Sequence, residues 1–333
     1  MYRVILYGGV KKGVELSNKI CMPLLFVLFV LLVIQALRLP GAVQGLNAFF
    51  TPNWSAMMDY KVWLAAYGHT FFSLSVGFGI MVTYASYLKP KTNLTGSGLI
   101  VGFANASTEI LAGIGIFAAL GFMAHAANSN VQDVVSGGIG LAFIAFPKII
   151  SSLGAGADLF GILFFTSLFV AGISSMVSIL EVPISAMMDK LKWSRKKAVS
   201  IIGGGSALVS IVLFSSVNSI KLVDIIDHFI NNIGIIGGAL LSIICVAWFK
   251  RSALVEIRNH VNAISTVQLG KGWDFTLTVI TSLILLITLG MTIYNLLLKG
   301  YGDYSLSLQW LFGWGCVIFC AVIAFILTRV KDR

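Results

Sequence analysis

The sequence predicts an all-α polytopic membrane protein with about eight transmembrane helices, and three observations predict it. Of its 333 residues, 58% are hydrophobic and 11% charged, whereas soluble domains carry about a quarter charged residues. Apolar runs long enough to cross a bilayer recur along the whole chain, and Lys and Arg fall in short clusters between them. A chain this apolar cannot cover itself in water, so lipid replaces the polar boundary. The net charge of +10 does not read as a nucleic-acid partner, because that use gathers the basic residues into one solvated patch or stripe.

A helix needs about 20 apolar residues, at about 1.5 Å each, to cross the hydrocarbon core. Eight stretches qualify: Ile20 to Leu37, Trp63 to Leu88, Leu94 to His125, Leu159 to Met188, Val199 to Ser216, Ile225 to Phe249, Phe275 to Leu298 and Tyr304 to Thr328. Lys and Arg are retained on the cytoplasmic side of short loops. With Met1 inside and eight crossings, 18 of the 23 basic residues lie inside, and Arg38, Lys61, Lys148, Lys221 and Lys299 lie outside. An odd number of spans would put basic clusters on both sides. Both termini are therefore expected to be cytoplasmic.

Met1 leads into a basic, Gly-containing stretch without a cleavage site, so no secretory signal is expected. The outside stretch from about Ala126 to Ala157 is long, and its apolar run Leu141 to Pro147 is too short to span. It is expected to fold back as a lid, the alternative being a plain surface loop. Cys21, Cys245, Cys316 and Cys320 have no metal-type CxxC spacing and read as packing residues.

A charge at mid-bilayer costs about 2.5 to 3.5 kcal/mol, so polar groups inside the spans demand reasons. The second span places Gly68, Ser73, Ser75, Gly77 and Gly79 near its middle. Such a helix either breaks, freeing backbone groups for an ion or substrate in a cavity, or packs its small residues against a neighbour. Asn105 and Glu109 in the third span share a helical face, which suggests an inward-facing cation or proton site or a protonated, hydrogen-bonded Glu. Ala171, Ser174, Ser175 and Ile179 in the fourth share another. Their hydroxyls suit a hard cation, although alone they tend to bond back to a carbonyl one turn earlier. Glu181 and Pro183 follow on the same span. Asp224 and Asp227 open the sixth span, where capping is the simple reading for at least one of them.

Gly98/Gly102 and Gly234/Gly238 read as close-packing pairs. The sequence holds no HExxH, no GxSxG elbow and no P-loop, and His69, His125, His228 and His260 are not spaced as ligands. It is therefore not read as an enzyme.

The stretch from Trp63 to Tyr87, WLAAYGHTFFSLSVGFGIMVTYASY, closely resembles the broken sixth helix of neurotransmitter:sodium symporters, particularly the bacterial leucine-transporter-like members. The likeness continues through Asn105, the AGISS run at Ala171 to Ser175, and DKLKWSRKKAV at Asp189 to Val199. It covers nearly the whole chain. The resemblance implies a partial inverted-repeat sodium symporter fold, an arrangement that serves as a standard example of discontinuous helices. Family members begin with four further helices, so an N-terminally truncated chain is expected. Residues 1–62 would then be the end of the first repeat. Residues 63–250 would form the second inverted repeat with its lid at about 126–157, and 251–333 two C-terminal spans.

Residue by residue, the resemblance implies a substrate pocket of Phe72, Ser73, Ser75, Phe78, Ser175 and Ile179, with Ser75 at the backbone turn. Ser73 and Asn105 match one sodium site; the Ala171 carbonyl with the Ser174 and Ser175 hydroxyls matches a second. Asp227 resembles an outer-gate carboxylate, and Asp189 and Tyr87 resemble inner-gate residues. Glu109 sits where chloride-independent relatives place a carboxylate in place of chloride. It is expected to be ionised when sodium and substrate are bound and protonated on return. His69 stands where relatives often have Gln, which ties it to the same proton chemistry.

The implied activity is sodium-coupled, chloride-independent symport of neutral amino acids across the cytoplasmic membrane by alternating access, with aliphatic or aromatic side chains favoured by Phe72, Phe78 and Ile179. Sodium is the coupling ion, and no organic cofactor is expected. The expected partners are the substrate, the bilayer, and either a missing N-terminal half or a second copy. The alternative is a truncated or split product without transport of its own.

Overall fold

The computed structural model describes residues 2–134, 142–143, 146–152, 154–216 and 219–330. Seven helices among them are long and apolar enough to cross a membrane. These are α1 (Gly13–Leu37), α5 (Leu94–Ala126), α6 (Ala157–Leu191), α7 (Arg195–Phe214), α8 (Ser219–Phe249), α10 (Lys271–Lys299) and α11 (Leu306–Arg329). The remaining predicted span is two half-helices, α3 (Tyr60–Ser73) and α4 (Ile80–Ser86). Shorter helices α2 (Ala42–Phe50) and α9 (Arg251–Ile264) complete the labelled elements. Part of the expected lid, residues 135–141, 144–145 and 153, lies outside the described residues; Val131–Val134 and Phe146–Ser152 are short helices.

The chain divides into two compact units, residues 1–58 with 104–180 and residues 59–103 with 181–333. The core of the first gathers Leu32 and Ala36 of α1, Ala118 and Ala119 of α5, Phe146 and Phe160. Here α2 meets α5 without side chains between them. A Cβ on Gly121 would stand 2.5 Å from the Gly41 carbonyl oxygen and the Gly45 nitrogen, and one on Gly45 would stand 1.7 Å from the Phe117 carbonyl oxygen. Lipid gives no hydrophobic drive between helices, so such backbone contact is a main source of packing attraction. The pairs Gly98/Gly102 and Gly234/Gly238 do not play that part. Among the described residues nothing lies within 4 Å of a Cβ built on Gly98, Gly102 or Gly238, and Gly234 meets only Ile230 of its own helix.

In the second unit Ile225, Phe229 and Ile233 form an i, i+4, i+8 stripe on α8 that packs with Leu296 of α10. Ile236, Ala239 and Leu240 continue it against Leu285. The helix widens to π turns at Ile230–Ile235 and Ile244–Phe249, local departures that often mark functional sites. The cysteines do not pack as expected: Cys245 and Cys320 are exposed and Cys21 and Cys316 half-buried.

Candidate functional site

The break in the second predicted span is built by residues 74–79. Helix α3 ends at Ser73, and Ser75 adopts φ 53°, left-handed for a residue with a Cβ. The Val76 N–H donates to the Phe71 carbonyl at 2.9 Å and the Ser75 N–H to the Phe72 carbonyl at 3.0 Å. These paired bonds form a Schellman closure, usually made with Gly at the position Ser75 holds. Gly77 and Gly79 follow at φ 83° and 78°. A Cβ on Gly77 would also lie 2.9 Å from the Ile235 carbonyl oxygen, so backbone conformation and close approach both exclude a side chain there. The break thus occupies the later part of the Gly68–Gly79 stretch, and Gly68 remains inside α3.

A cavity of about 290 Å3 opens beside this break, lined by His69, Phe72 and Phe78 from the interrupted segment and by Asp227, Asn231 and Asn232 from α8. The Phe72 and Phe78 rings meet edge to face with centroids 5.6 Å apart. Asp227 accepts a hydrogen bond from the Asn231 amide at 2.8 Å. Neither Asp227 nor Asp224 caps its helix, because α8 begins at Ser219, a full turn earlier than predicted. Asp224 instead accepts from the Tyr301 hydroxyl at 3.1 Å and the Tyr304 hydroxyl at 2.8 Å. Ser73 and Ser75, expected in the pocket, are half-buried at the break itself.

The first unit holds the other predicted groups. The Asn105 amide N–H donates to Glu109 at 2.9 Å along α5, both residues being half-buried. Amide geometry then directs the Asn105 carbonyl oxygen, a hard donor of the kind that suits alkali and alkaline-earth cations, away from Glu109. On α6 the buried Ser174 hydroxyl donates to the Ala171 carbonyl at 2.9 Å. This is the local back-bond open to any helical Ser, and it keeps two oxygens side by side. Ser175 and Ile179 lie on the exposed side of the same helix.

Sequence reasoning left one charged cluster without a role. Glu181 is completely buried and receives both arms of the Arg195 guanidinium, at 2.9 and 2.7 Å. The Tyr87 hydroxyl donates to the same carboxylate at 3.0 Å. Asp189, expected beside Tyr87, is exposed. The available signal was Glu181 itself, a carboxylate inside an apolar run that requires a partner. Asn231 and Asn232 carried no such signal.

A helix broken beside a cavity and seven helices of membrane length among the described residues are features of secondary-transporter folds. A model of the sodium:neurotransmitter symporter family matches residues 1–331. The chain belongs to that family.

It is 40% identical over 328 residues to an uncharacterized sodium-dependent transporter of Methanocaldococcus jannaschii, covering 98% of this chain and 66% of that one. It is 27% identical over 327 residues to the sodium- and chloride-dependent glycine transporter 2 of Xenopus laevis, covering 96% and 41%. The crystal structure of MhsT in complex with L-phenylalanine superposes with a TM-score of 0.69 at 35% identity, over 87% of this chain and 65% of MhsT. The chain spans about two thirds or less of the length of each of these relatives.

Proposed function

We propose that this chain forms the greater part of a sodium-coupled symporter for neutral amino acids that works by alternating access in the cytoplasmic membrane, with both termini cytoplasmic. The observation that carries the reading is the cavity beside the interrupted helix, where Phe72 and Phe78 present aromatic faces next to backbone held open by Ser75, Gly77 and Gly79. Apolar walls suit an aliphatic or aromatic side chain, and MhsT, crystallised with L-phenylalanine, lends support. The family resemblance adds Ser73, Ser75, Ser175 and Ile179 as residues proposed to contact the substrate.

Sodium is held in one site by Ser73 and Asn105 and in a second by Ala171, Ser174 and Ser175, all oxygen donors suited to a hard cation. Glu109 supplies the negative charge that chloride supplies elsewhere, which makes transport chloride-independent, and His69 shares its proton chemistry. Asp227 belongs to the outer gate. At the inner gate Tyr87 and Asp189 act, with Tyr87 anchored on Glu181.

The test is uptake of radiolabelled phenylalanine and leucine into proteoliposomes under a sodium gradient. Asn105→Ala should raise the sodium concentration for half-maximal uptake about tenfold, equivalent to about 1.4 kcal/mol. Unchanged sodium dependence would remove the assignment of Asn105. Replacing chloride by gluconate should leave uptake intact, and a collapse would overturn the role of Glu109.

The coverage of the relatives favours a second reading, in which this stretch binds substrate or a partner polypeptide without transporting alone. Sodium-dependent binding without uptake, with uptake restored by a longer form or a second polypeptide, would select it.

A further inference from the structure

Two cavities adjoin in the second unit where α8 runs past α10. One, of about 310 Å3, is lined by Leu240, Ile244, Trp248, Leu283 and Leu286 and is apolar along its length. The other, of about 300 Å3, begins beside the shared Val279 and ends between Arg251 and Asp274. The Trp248 indole N–H donates to the Thr278 carbonyl at 3.0 Å and ties the two walls together. From Leu240 to the end of α8 at Phe249, with Arg251 following at the next turn of chain, the helical rise amounts to roughly 13 Å. That is about half of a hydrocarbon core of about 30 Å, the depth of one leaflet.

The polar end of this groove is chemically incomplete. Lys250 and Arg251 are exposed, and neither pairs with a carboxylate among the described residues. Asp274 pairs through one oxygen with Arg258, while its other oxygen, Oδ1, is buried without a hydrogen-bond partner. A buried carboxylate oxygen left without a donor is costly, so a ligand that donates there is favoured. Two unpaired cations ask for an anion. A single ligand meeting both needs carries a negative phosphate and a hydroxyl donor on a tail one leaflet long.

We infer that this groove binds an anionic phospholipid of the phosphatidylglycerol type. Its phosphate lies against Arg251 and Lys250, a headgroup hydroxyl donates to Asp274 Oδ1, and one chain runs along Leu240, Ile244 and Leu286. Basic pockets between membrane helices are recurrent headgroup sites, and Arg binds phosphate through two parallel bonds. Phosphatidylcholine offers no donor to Asp274. Phosphatidylethanolamine offers one but brings no net charge to the two cations.

The experiment is native mass spectrometry of the purified full chain in detergent, given equal amounts of phosphatidylglycerol, phosphatidylethanolamine and phosphatidylcholine. Phosphatidylglycerol should be retained about tenfold over phosphatidylcholine. Arg251→Gln should bring it down to the phosphatidylcholine level, Arg251→Lys should retain part of the preference, and Lys197→Gln, which removes the same charge elsewhere, should change nothing. Leu283→Trp fills the apolar slot and should cut retention with every charge intact. Phosphatidylmethanol, which has the same charge without hydroxyls, should be held several-fold more weakly than phosphatidylglycerol. Equal retention of the three lipids, preference for phosphatidylethanolamine, or an unaltered Arg251→Gln would overturn the site. Phosphatidylmethanol binding as well as phosphatidylglycerol would overturn the role of Asp274.

Discussion

Two carboxylates of the second unit accept hydrogen bonds from tyrosine, and their surroundings differ in kind. Glu181 is wholly buried and meets a bidentate guanidinium as well as Tyr87. Asp224 sits near the start of α8 with two tyrosine hydroxyls as its donors, from Tyr301 and Tyr304 in the connection before α11. The first is a neutralised pair fixed in low dielectric. The second has neutral hydroxyls as its hydrogen-bond donors, and its proximity raises the proton affinity of those hydroxyls. One arrangement locks the end of α4 to the interior of α6 and the start of α7. The other tethers a loop to the helix that carries Asp227, at a fraction of the strength.

The largest consequence concerns Arg195. Removing one member of a buried pair leaves an uncompensated charge and costs about 3–5 kcal/mol. Arg195→Met should therefore lower the thermal midpoint sharply and reduce the yield of monodisperse protein in size-exclusion chromatography. Glu181→Gln combined with Arg195→Met should recover much of the loss, because no charge then remains buried. If the single variant melted like the parent, the pair would not be a lock and the contrast with Asp224 would disappear.

Asp224→Asn should act mildly on stability and distinctly on titration. A net hydrogen bond to a charged acceptor contributes about 1.5–3 kcal/mol, and Asn retains an acceptor, so the loss falls below that range. Burial, then the Asp224 charge, then the hydrogen bond to it push the Tyr301 hydroxyl up to about 12 from its usual 10.0. The folded state thus holds this proton more tightly than the unfolded chain. The associated stability is complete below pH 10.0 and is lost as pH rises toward about 12. Neutral pH lies outside that window. In Asp224→Asn the phenolate absorbance of Tyr301, isolated as the difference from Tyr301→Phe, should appear at lower pH, while burial keeps it above 10.0. An unmoved titration would mean that the carboxylate does not govern the loop.

The spans were legible in the sequence because a bilayer imposes a run of fixed minimal length, and seven of the eight predicted runs are continuous helices. The interruption of the eighth was legible as a choice between breaking and packing. Its position was not, since only backbone angles separate Gly77 and Gly79, which need positive φ, from Gly68, which does not. The glycine spacing misled for a related reason. A pair such as Gly98/Gly102 states that one helix has a flat face but not that a neighbour uses it, whereas the contact of Gly121 with Gly41 and Gly45 joins segments about 80 residues apart. Phe72 and Phe78 as pocket residues and Asp227 as a gate residue came from family resemblance, whereas the place of His69 beside Asp227 did not, because no periodicity relates α3 to α8. Glu181 announced that it needed a partner. That the partners would be Arg195 and Tyr87, 14 and 94 residues away, required the fold.

The smallest effect belongs to Tyr87, and it separates the two kinds of carboxylate most cleanly. Tyr87→Phe removes one donor from Glu181 while Arg195 still satisfies both oxygens, so the expected cost is about 0.5–1.5 kcal/mol, well below that of Arg195→Met. Tyr301→Phe and Tyr304→Phe each remove one of two neutral donors from Asp224, and among the described residues no cation forms an ion pair with it. If the locked and tethered descriptions hold, the two losses at Asp224 should exceed additivity when combined. The loss at Tyr87 should shrink once Glu181 is already Gln, whose amide keeps an acceptor but no charge. Double-mutant cycles on thermal midpoints measure both couplings. A Tyr87→Phe loss that is undiminished in Glu181→Gln would move the importance of the hydroxyl away from this carboxylate and toward the proposed inner gate, where transport rather than stability would register it.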